Sequence, residues 1–488
     1  MEAALVVAAM KAGADVSELR SRYPRAAELP FDSKRRRMTT LHRYGDAWLV
    51  VSKGAPETLL PTGISGQGTH NGDDAVRRTA HQLAGEGYRV IAVADRITTT
   101  RPADDEFERG LHIVGLVAIT DPLRSAAADA VQAFDDAGVR LLLVTGDHPA
   151  TALTAARRLG METGTRRADE SPEAHEPAIL TGSDLDVGPP ATALARTRIF
   201  ARIRPEQKLG LVQHLQGLGH VVAMTGDGVN DGPALRRADI GVAMGRGGTE
   251  VARQAADLVL QDDNLATVVA AIGEGRRIYD NIRRFLRYAL SGGLAEVIVM
   301  LFGPFLGLGI PLLPAQILWV NMLTHGLPGV ALGAEPADPG VLRRPPRSPR
   351  QSVLGQGLAA QIGWTGCVVA AAVLAAGIWA EATDRPWQTI VFATLGLAQL
   401  GLALVLRAPR RRGAGEGHFL NLAVAGALAA QLGAIYLAPL GELLSTDPLN
   451  LSDLAVVFAA SAVPAAVVSV VNRWRGWATG ITEEGVRR

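Results

Sequence analysis

Six apolar stretches, at about 287–308, 312–333, 355–378, 387–406, 418–438 and 453–472, constrain this chain more than any other feature. Each is near the ~20 residues that a helix needs to cross a bilayer. Their flanks alternate in charge. Arg276, Arg277, Arg283, Arg284 and Arg287 precede or open the first stretch, and Arg343, Arg344, Arg347 and Arg350 follow the second. Arg407 and Arg410, Arg411 and Arg412 follow the fourth, Arg473 and Arg475 the sixth, and the intervening connections carry Arg385 as their one arginine. Buried helices of a soluble protein have no reason to alternate in this way, whereas basic loops held on the cytoplasmic side of a membrane do. The pattern predicts a six-helix transmembrane domain over 273–475 that is partnered by lipid. It also predicts a cytoplasmic tail over 476–488 and places both termini and the soluble portion in the cytoplasm.

The soluble portion has two rhythms. Residues 1–110 mix short β-like runs (Trp48 to Ser52, Arg89 to Ala94) with glycine-rich turns, as in a small α+β domain. From Leu111 to 272, apolar runs ending in small or acidic residues (Val114 to Asp121, Val139 to Asp147, His220 to Asp227) alternate with alanine-rich helical stretches. That is the mark of a buried parallel sheet with crossover helices, an α/β domain. A net charge of +1 and clustered arginines give no continuous basic stripe, so nucleic acid is not an expected partner. The single cysteine, Cys367, excludes an internal disulfide and a multi-cysteine metal site.

Chemistry concentrates in Met224-Thr-Gly-Asp-Gly-Val-Asn-Asp-Gly-Pro-Ala-Leu235, where an apolar strand runs into two glycines and three oxygen-bearing side chains. Magnesium takes hard oxygen ligands and keeps several waters, so Asp227, with Asp231 or Asn230, suits it at a strand's C-terminal edge. Within the first apolar stretch, Glu296 is an ionisable residue at bilayer depth, which is costly and marks a transport pathway. Asn321, Thr324 and His325 share one face of the second, with Gly326 and Pro328 loosening the helix. Gln399 is a further polar residue of the fourth.

These segments resemble type II, calcium-pump-like P-type cation-transporting ATPases, from about Leu5 to the last helix. The run at Asp227 resembles the family's hinge motif, in a phosphorylation domain of the haloacid dehalogenase superfamily. Thr145-Gly-Asp147 is similar to its phosphate-contacting segment, and Phe200-Ala-Arg-Ile-Arg-Pro-Glu-Gln-Lys208 to the segment whose lysine neutralises phosphoryl charge. Asp121-Pro-Leu-Arg124 is similar to the junction between nucleotide and phosphorylation domains. The resemblance implies catalytic roles for Thr145, Gly146, Asp147, Lys208, Asn230 and Asp231, with Mg2+ at Asp227. Phe31 with Lys34, Arg35, Arg36 and Met38 resembles the adenine-stacking segment, Lys53-Gly-Ala-Pro-Glu57 the pocket loop, and Arg89 a phosphate-contacting arginine. It therefore implies ATP bound by Phe31, Arg36, Lys53, Gly54, Arg89 and Arg202, and a transported cation bound by Glu296, Asn321, Thr324, His325 and Gln399.

The sequence also departs from the family. No Asp-Lys-Thr-Gly-Thr segment, which holds the phosphorylated aspartate, occurs in it. The acidic actuator loop and the first four membrane helices are not in it either. The expectation is a C-terminal fragment or half of a split pump, with a partial nucleotide-binding domain and a dehalogenase-like sheet lacking its nucleophile strand. A second polypeptide would then supply the actuator domain, the first four helices and the aspartate. Without a nucleophile the isolated chain cannot form a phosphoenzyme. His325 and Gly293 stand where calcium-transporting relatives place an aspartate and an asparagine, which leaves the cation open. Two other readings are a membrane-anchored phosphatase using Asp121 and a catalytically dead nucleotide-binding membrane protein.

Overall fold

The structure, a computed structural model, describes residues 2–32, 35–59, 70–103, 106–119, 126–147, 149–161, 179–408 and 418–485. Lys34 and the Asp121–Arg124 segment lie outside these residues. The chain divides into two compact units, Met1–Thr267 and Val268–Arg488.

The first unit opens with two helices, Glu2–Lys11 and Val16–Arg22, followed by an antiparallel meander. Its strands β1 (Arg25–Asp32), β2 (Arg37–Tyr44), β3 (Ala47–Gly54), β4 (Arg89–Thr98) and β5 (His112–Ile119) lie in sequence order. The apolar run from Val114, expected to begin the parallel sheet, instead forms β5 and pairs antiparallel with β4. The reason is local: a continuous apolar run is equally at home on the edge of either sheet, and nothing in the run itself fixes the direction of pairing. Leu41, Val50 and Phe107, each 1% exposed or less, fill the core beneath this sheet.

The parallel strands of the first unit fall into two groups of three. β6 (Leu143–Val144), β7 (Ile179–Thr181) and β8 (Ile199–Ala201) form one sheet in the order β6-β8-β7. β9 (Ala223–Gly226), β10 (Ile240–Met244) and β11 (Leu258–Leu260) form the other in the order β11-β10-β9. The inner strands are buried, with all three residues of β8 and three of the five in β10 hidden from solvent. β6 is half-buried and β9 alternates between exposed and half-buried, although both are as apolar as buried parallel strands usually are. Among the described residues β6 and β9 each pair on one side only. Helix α1 (Pro205–Gly217), opened by a proline in its first turn, follows β8, and α2 (Gly232–Arg237) follows β9.

The second unit is helical. Among the described residues five helices are long and apolar enough to cross a membrane: α3 (Leu265–Phe302), which begins just before this unit, α6 (Leu358–Ala382), α7 (Trp387–Val405), α8 (His418–Tyr436) and, over its first 24 residues, α9 (Leu451–Gly485). Six spans were expected; the second is broken at Gly326 into α4 (Pro314–His325) and α5 (Leu327–Gly333), neither of which is long enough by itself. Pro328 sits in the first turn of α5, and Gly326, at ψ −95°, has left helical geometry. α7 is buried over most of its length and is the central rod of the bundle. Glycines of α6 let helices approach: a Cβ on Gly377 would lie 2.6 Å from Val391 of α7, and one on Gly366 2.9 Å from Leu294 of α3. Outward, Leu318, Met322, Leu422 and Phe458 expose apolar side chains, the surface that a lipid environment solvates. This is a multi-pass membrane bundle.

Candidate functional site

Two of the terminal strands of the parallel sheets, β6 and β9, end in the same three residues. β6 runs into Thr145-Gly146-Asp147, and β9 into Thr225-Gly226-Asp227. The first turn is held by Thr145 Oγ1, which donates to Asp147 Oδ2 at 3.1 Å and accepts from the Asp147 N–H at 3.0 Å. Its backbone is stitched to the residues after β8 through Arg202 N to Asp147 O and Ile203 N to Thr145 O. Arg202 takes a left-handed φ of +52°, a costly conformation for a non-glycine residue and one that clusters at functional sites.

The second turn separates its two aspartates. Asp231 is buried; its Oδ1 lies 2.7 Å from Lys208 Nζ, and its Oδ2 accepts the Gly228 N–H at 3.3 Å. A Cβ on Gly226 would stand 2.6 Å from that of Asp231, so glycine is required where the strand passes the carboxylate. Asp231, expected as a second magnesium ligand, thus has both oxygens engaged within the protein. Asp227 and Asn230 are exposed, and the Asp227 carbonyl accepts the Thr249 N–H at 2.8 Å. Among the described residues no three His, Cys, Asp or Glu side chains gather closely enough to hold a metal unaided. An exposed carboxylate with room for water and phosphoryl oxygens fits magnesium, which rarely takes an all-protein cage.

The expected nucleotide residues come to one end of the five-stranded sheet. Phe31 near the end of β1, Arg36 before β2, Lys53 and Gly54 closing β3 and Arg89 opening β4 all lie there, because neighbouring strands run antiparallel. Phe31 is 67% exposed, uncommon for a phenylalanine without a partner. Arg36 has φ +52°, and its guanidinium lies 3.4 Å from exposed Glu57. Gly54 was expected to let a ligand approach; its missing Cβ instead makes room for the chain itself, since a Cβ there would meet Arg37 Cβ at 2.5 Å. Sequence reasoning missed Glu108. This carboxylate takes hydrogen bonds from Arg35, from Arg37 Nε at 2.8 Å and from Thr39 Oγ1 at 3.0 Å, so half of the basic run is structural. A lone glutamate some 70 residues away gives no sequence signal of that contact.

In the second unit Glu296 is buried, and both of its oxygens are met by neutral amides. Asn321 Nδ2 of α4 donates to Oε2, and Gln399 Nε2 of α7 to Oε1, each at 3.1 Å. Among the described residues Gln399 Oε1 is buried without a hydrogen-bond partner. Thr324 is also buried, but its hydroxyl bonds back to Val320 O at 2.7 Å while its carbonyl accepts from Tyr288 OH at 3.1 Å. His325 is placed by its backbone alone, as the last residue of α4. Gln399 rests on Gly292, where a Cβ would stand 2.9 Å from the amide carbon. Gly292→Val is therefore expected to push the amide off Glu296 and cost about 1–3 kcal/mol by overpacking. A thermal melt in detergent checks this, and an unchanged midpoint would contradict the packing.

Two stretches of the chain match family models: residues 1–126 that of the P-type ATPase cytoplasmic domain N, and residues 309–474 that of the cation transporting ATPase C-terminus. The chain is 38% identical to a probable cation-transporting ATPase F of Mycobacterium tuberculosis, over 96% of this chain and 53% of that protein. It is 36% identical to a calcium-transporting ATPase of Bacillus subtilis, with 95% and 53% covered. It is 35% identical to calcium-transporting ATPase 1 of Yarrowia lipolytica, with 90% and 48% covered. The chain spans about half the length of the curated relatives it matches.

Proposed function

The chain belongs to the P-type cation-transporting ATPase family, and from that premise we propose that it carries the nucleotide-binding, phosphoryl-stabilising and ion-binding parts of an ATP-driven cation pump. The observation that carries this reading is Glu296. A carboxylate inside an apolar bundle is expensive, and here it is aimed by amides from two other helices, with the Gln399 carbonyl oxygen left over to bind a cation. We assign Glu296, Asn321 and Gln399 as ion contacts. The break at Gly326 frees carbonyls at the end of α4 to join them.

In the soluble half, Phe31 stacks on adenine while Arg36, Lys53 and Arg89 meet the phosphates. The two Thr-Gly-Asp turns and Lys208 surround the phosphoryl group, with Asp231 holding the Lys208 ammonium in place. Magnesium, when bound at Asp227, supplies positive charge to phosphoryl oxygens. We read β6 to β11 as two halves of one dehalogenase-like sheet. In that reading one more parallel strand, bearing the phosphorylated aspartate, would pair with β6 and β9 and join the two halves. The domains follow as 1–110, 111–272 and 273–475 with a tail, the soluble portion and both termini facing the cytoplasm, although β5 joins the nucleotide sheet rather than the second domain.

Titrating the purified chain in detergent with a fluorescent ATP analogue tests the nucleotide end. Saturable binding is expected, and Phe31→Ala should weaken it roughly 10-fold, the worth of one ring stacked on a base. No binding by the unaltered chain would overturn this part of the reading.

A further inference from the structure

The loop after β10, Gly245-Arg246-Gly247-Gly248, carries none of the residues assigned above, yet five of its eight backbone N–H and C=O groups are hydrogen-bonded. The Gly245 N–H donates to Leu260 O at 2.8 Å. The N–H groups of Arg246 and Gly247 go to the two oxygens of one carboxylate, Asp263 Oδ1 at 3.0 Å and Oδ2 at 2.8 Å. From the other side Arg253 Nη1 donates to Gly245 O at 3.1 Å and Gly248 O at 2.7 Å. The glycines are obligatory: a Cβ on Gly248 would lie 2.0 Å from Met244 O, and one on Gly245 2.7 Å from Leu260 O. The residue that leaves this clamp is Thr249, whose N–H holds the carbonyl of Asp227.

Asp263 itself is 8% exposed and sits at φ +53°, a left-handed conformation that an aspartate adopts at a cost. A buried, strained carboxylate gripping a glycine loop does more than close a turn. It fixes the position of Thr249 and, through it, the backbone that carries the Asp227 carboxylate. We propose that Asp263 is a positioning residue for the cation site at Asp227, acting through the Gly245–Gly248 loop and the Thr249 N–H. The proposal rests on the reading of Asp227 as the magnesium ligand. Groups that orient a metal ligand without touching the metal change its affinity by roughly 10–100-fold when removed.

The test is a titration of the full chain in detergent with Mn2+, followed by electron paramagnetic resonance and competed with Mg2+. Asp263→Gly keeps the left-handed backbone and removes the side chain, and Asp263→Asn keeps the backbone with one acceptor oxygen. Thr249→Pro deletes that N–H, at a residue whose φ of −73° already suits proline, together with the hydroxyl that accepts the Ala252 N–H at 3.3 Å; Thr249→Ala, which loses the hydroxyl alone and should bind Mn2+ as the unaltered chain does, is its control. Mn2+ binding that Asp227→Ala abolishes, that Asp263→Gly and Thr249→Pro each weaken about 10-fold, and that Asp263→Asn largely restores is the expected result. If Asp263→Gly fails to fold, Thr249→Pro decides by itself. Mn2+ affinity unchanged in Asp263→Gly and Thr249→Pro, with Asp227→Ala inert, overturns the positioning role alone. Absence of binding by the unaltered chain, or binding indifferent to Asp227→Ala, overturns the magnesium reading and the inference with it.

Discussion

Asp227→Ala should lower Mg2+ affinity by about 100-fold or more while leaving thermal stability nearly unchanged, because a directly ligating group matters more than one behind it. Asp227 is exposed and, among the described residues, its side chain makes no hydrogen bond, so truncation removes no internal contact and stays within about 0.5 kcal/mol. Asp231→Ala should behave in the opposite way. It strands Lys208 in a partly buried site and opens space beside Gly226, which costs about 1–3 kcal/mol. The two variants, compared by Mg2+ titration and by melting, separate a ligand from an anchor although they lie four residues apart. Equal loss of affinity with equal loss of stability would sink that division of labour.

The second large effect is expected at Glu296. Glu296→Gln keeps the volume and one acceptor oxygen, and the Gln399 amide can turn its oxygen to the new N–H, but the charge is deleted, so cation affinity should fall at least 100-fold with little change in the melt. Glu296→Ala should also destabilise the bundle by about 2–4 kcal/mol, since the buried Gln399 amide loses its acceptor, the half-buried Asn321 amide keeps only Ile317 O, and a cavity opens beside α7. Isothermal titration with candidate cations, alongside thermal melts in detergent, distinguishes these outcomes. Cation binding that survives Glu296→Gln would remove Glu296 from the ion path.

Much of this was legible in the residues. Apolar length gave the long helices because a bilayer sets a length scale that a sequence cannot disguise. Asn321 at the right spacing from Thr324 pointed to a polar face on α4, and the structure brings Asn321 to Glu296 while turning the Thr324 hydroxyl back onto its own helix. That difference is local: a threonine in a helix bonds to the carbonyl four residues back at little cost, and no spacing rule anticipates the choice. The break at Gly326 was visible as a glycine and a proline, but not that it would divide the span into two short helices. The sheet was harder. β5 reads like a parallel strand because pairing direction leaves no trace in a short apolar run. Glu108, Thr249 and Asp263 escaped notice for a common reason. Each acts across a gap in sequence through backbone or arginine partners, and such contacts exist only once the fold has formed.

β6 and β9 have one further bearing, on how the chain behaves in a test tube. Among the described residues neither strand has a partner on its outer side, and an unpaired row of N–H and C=O groups is a template for any other strand. Copies of this chain kept at high concentration would be drawn together edge to edge there, and such aggregates would cover the two Thr-Gly-Asp turns. Dilute, freshly separated monomer is thus the form in which ligand affinities reflect the site rather than self-association.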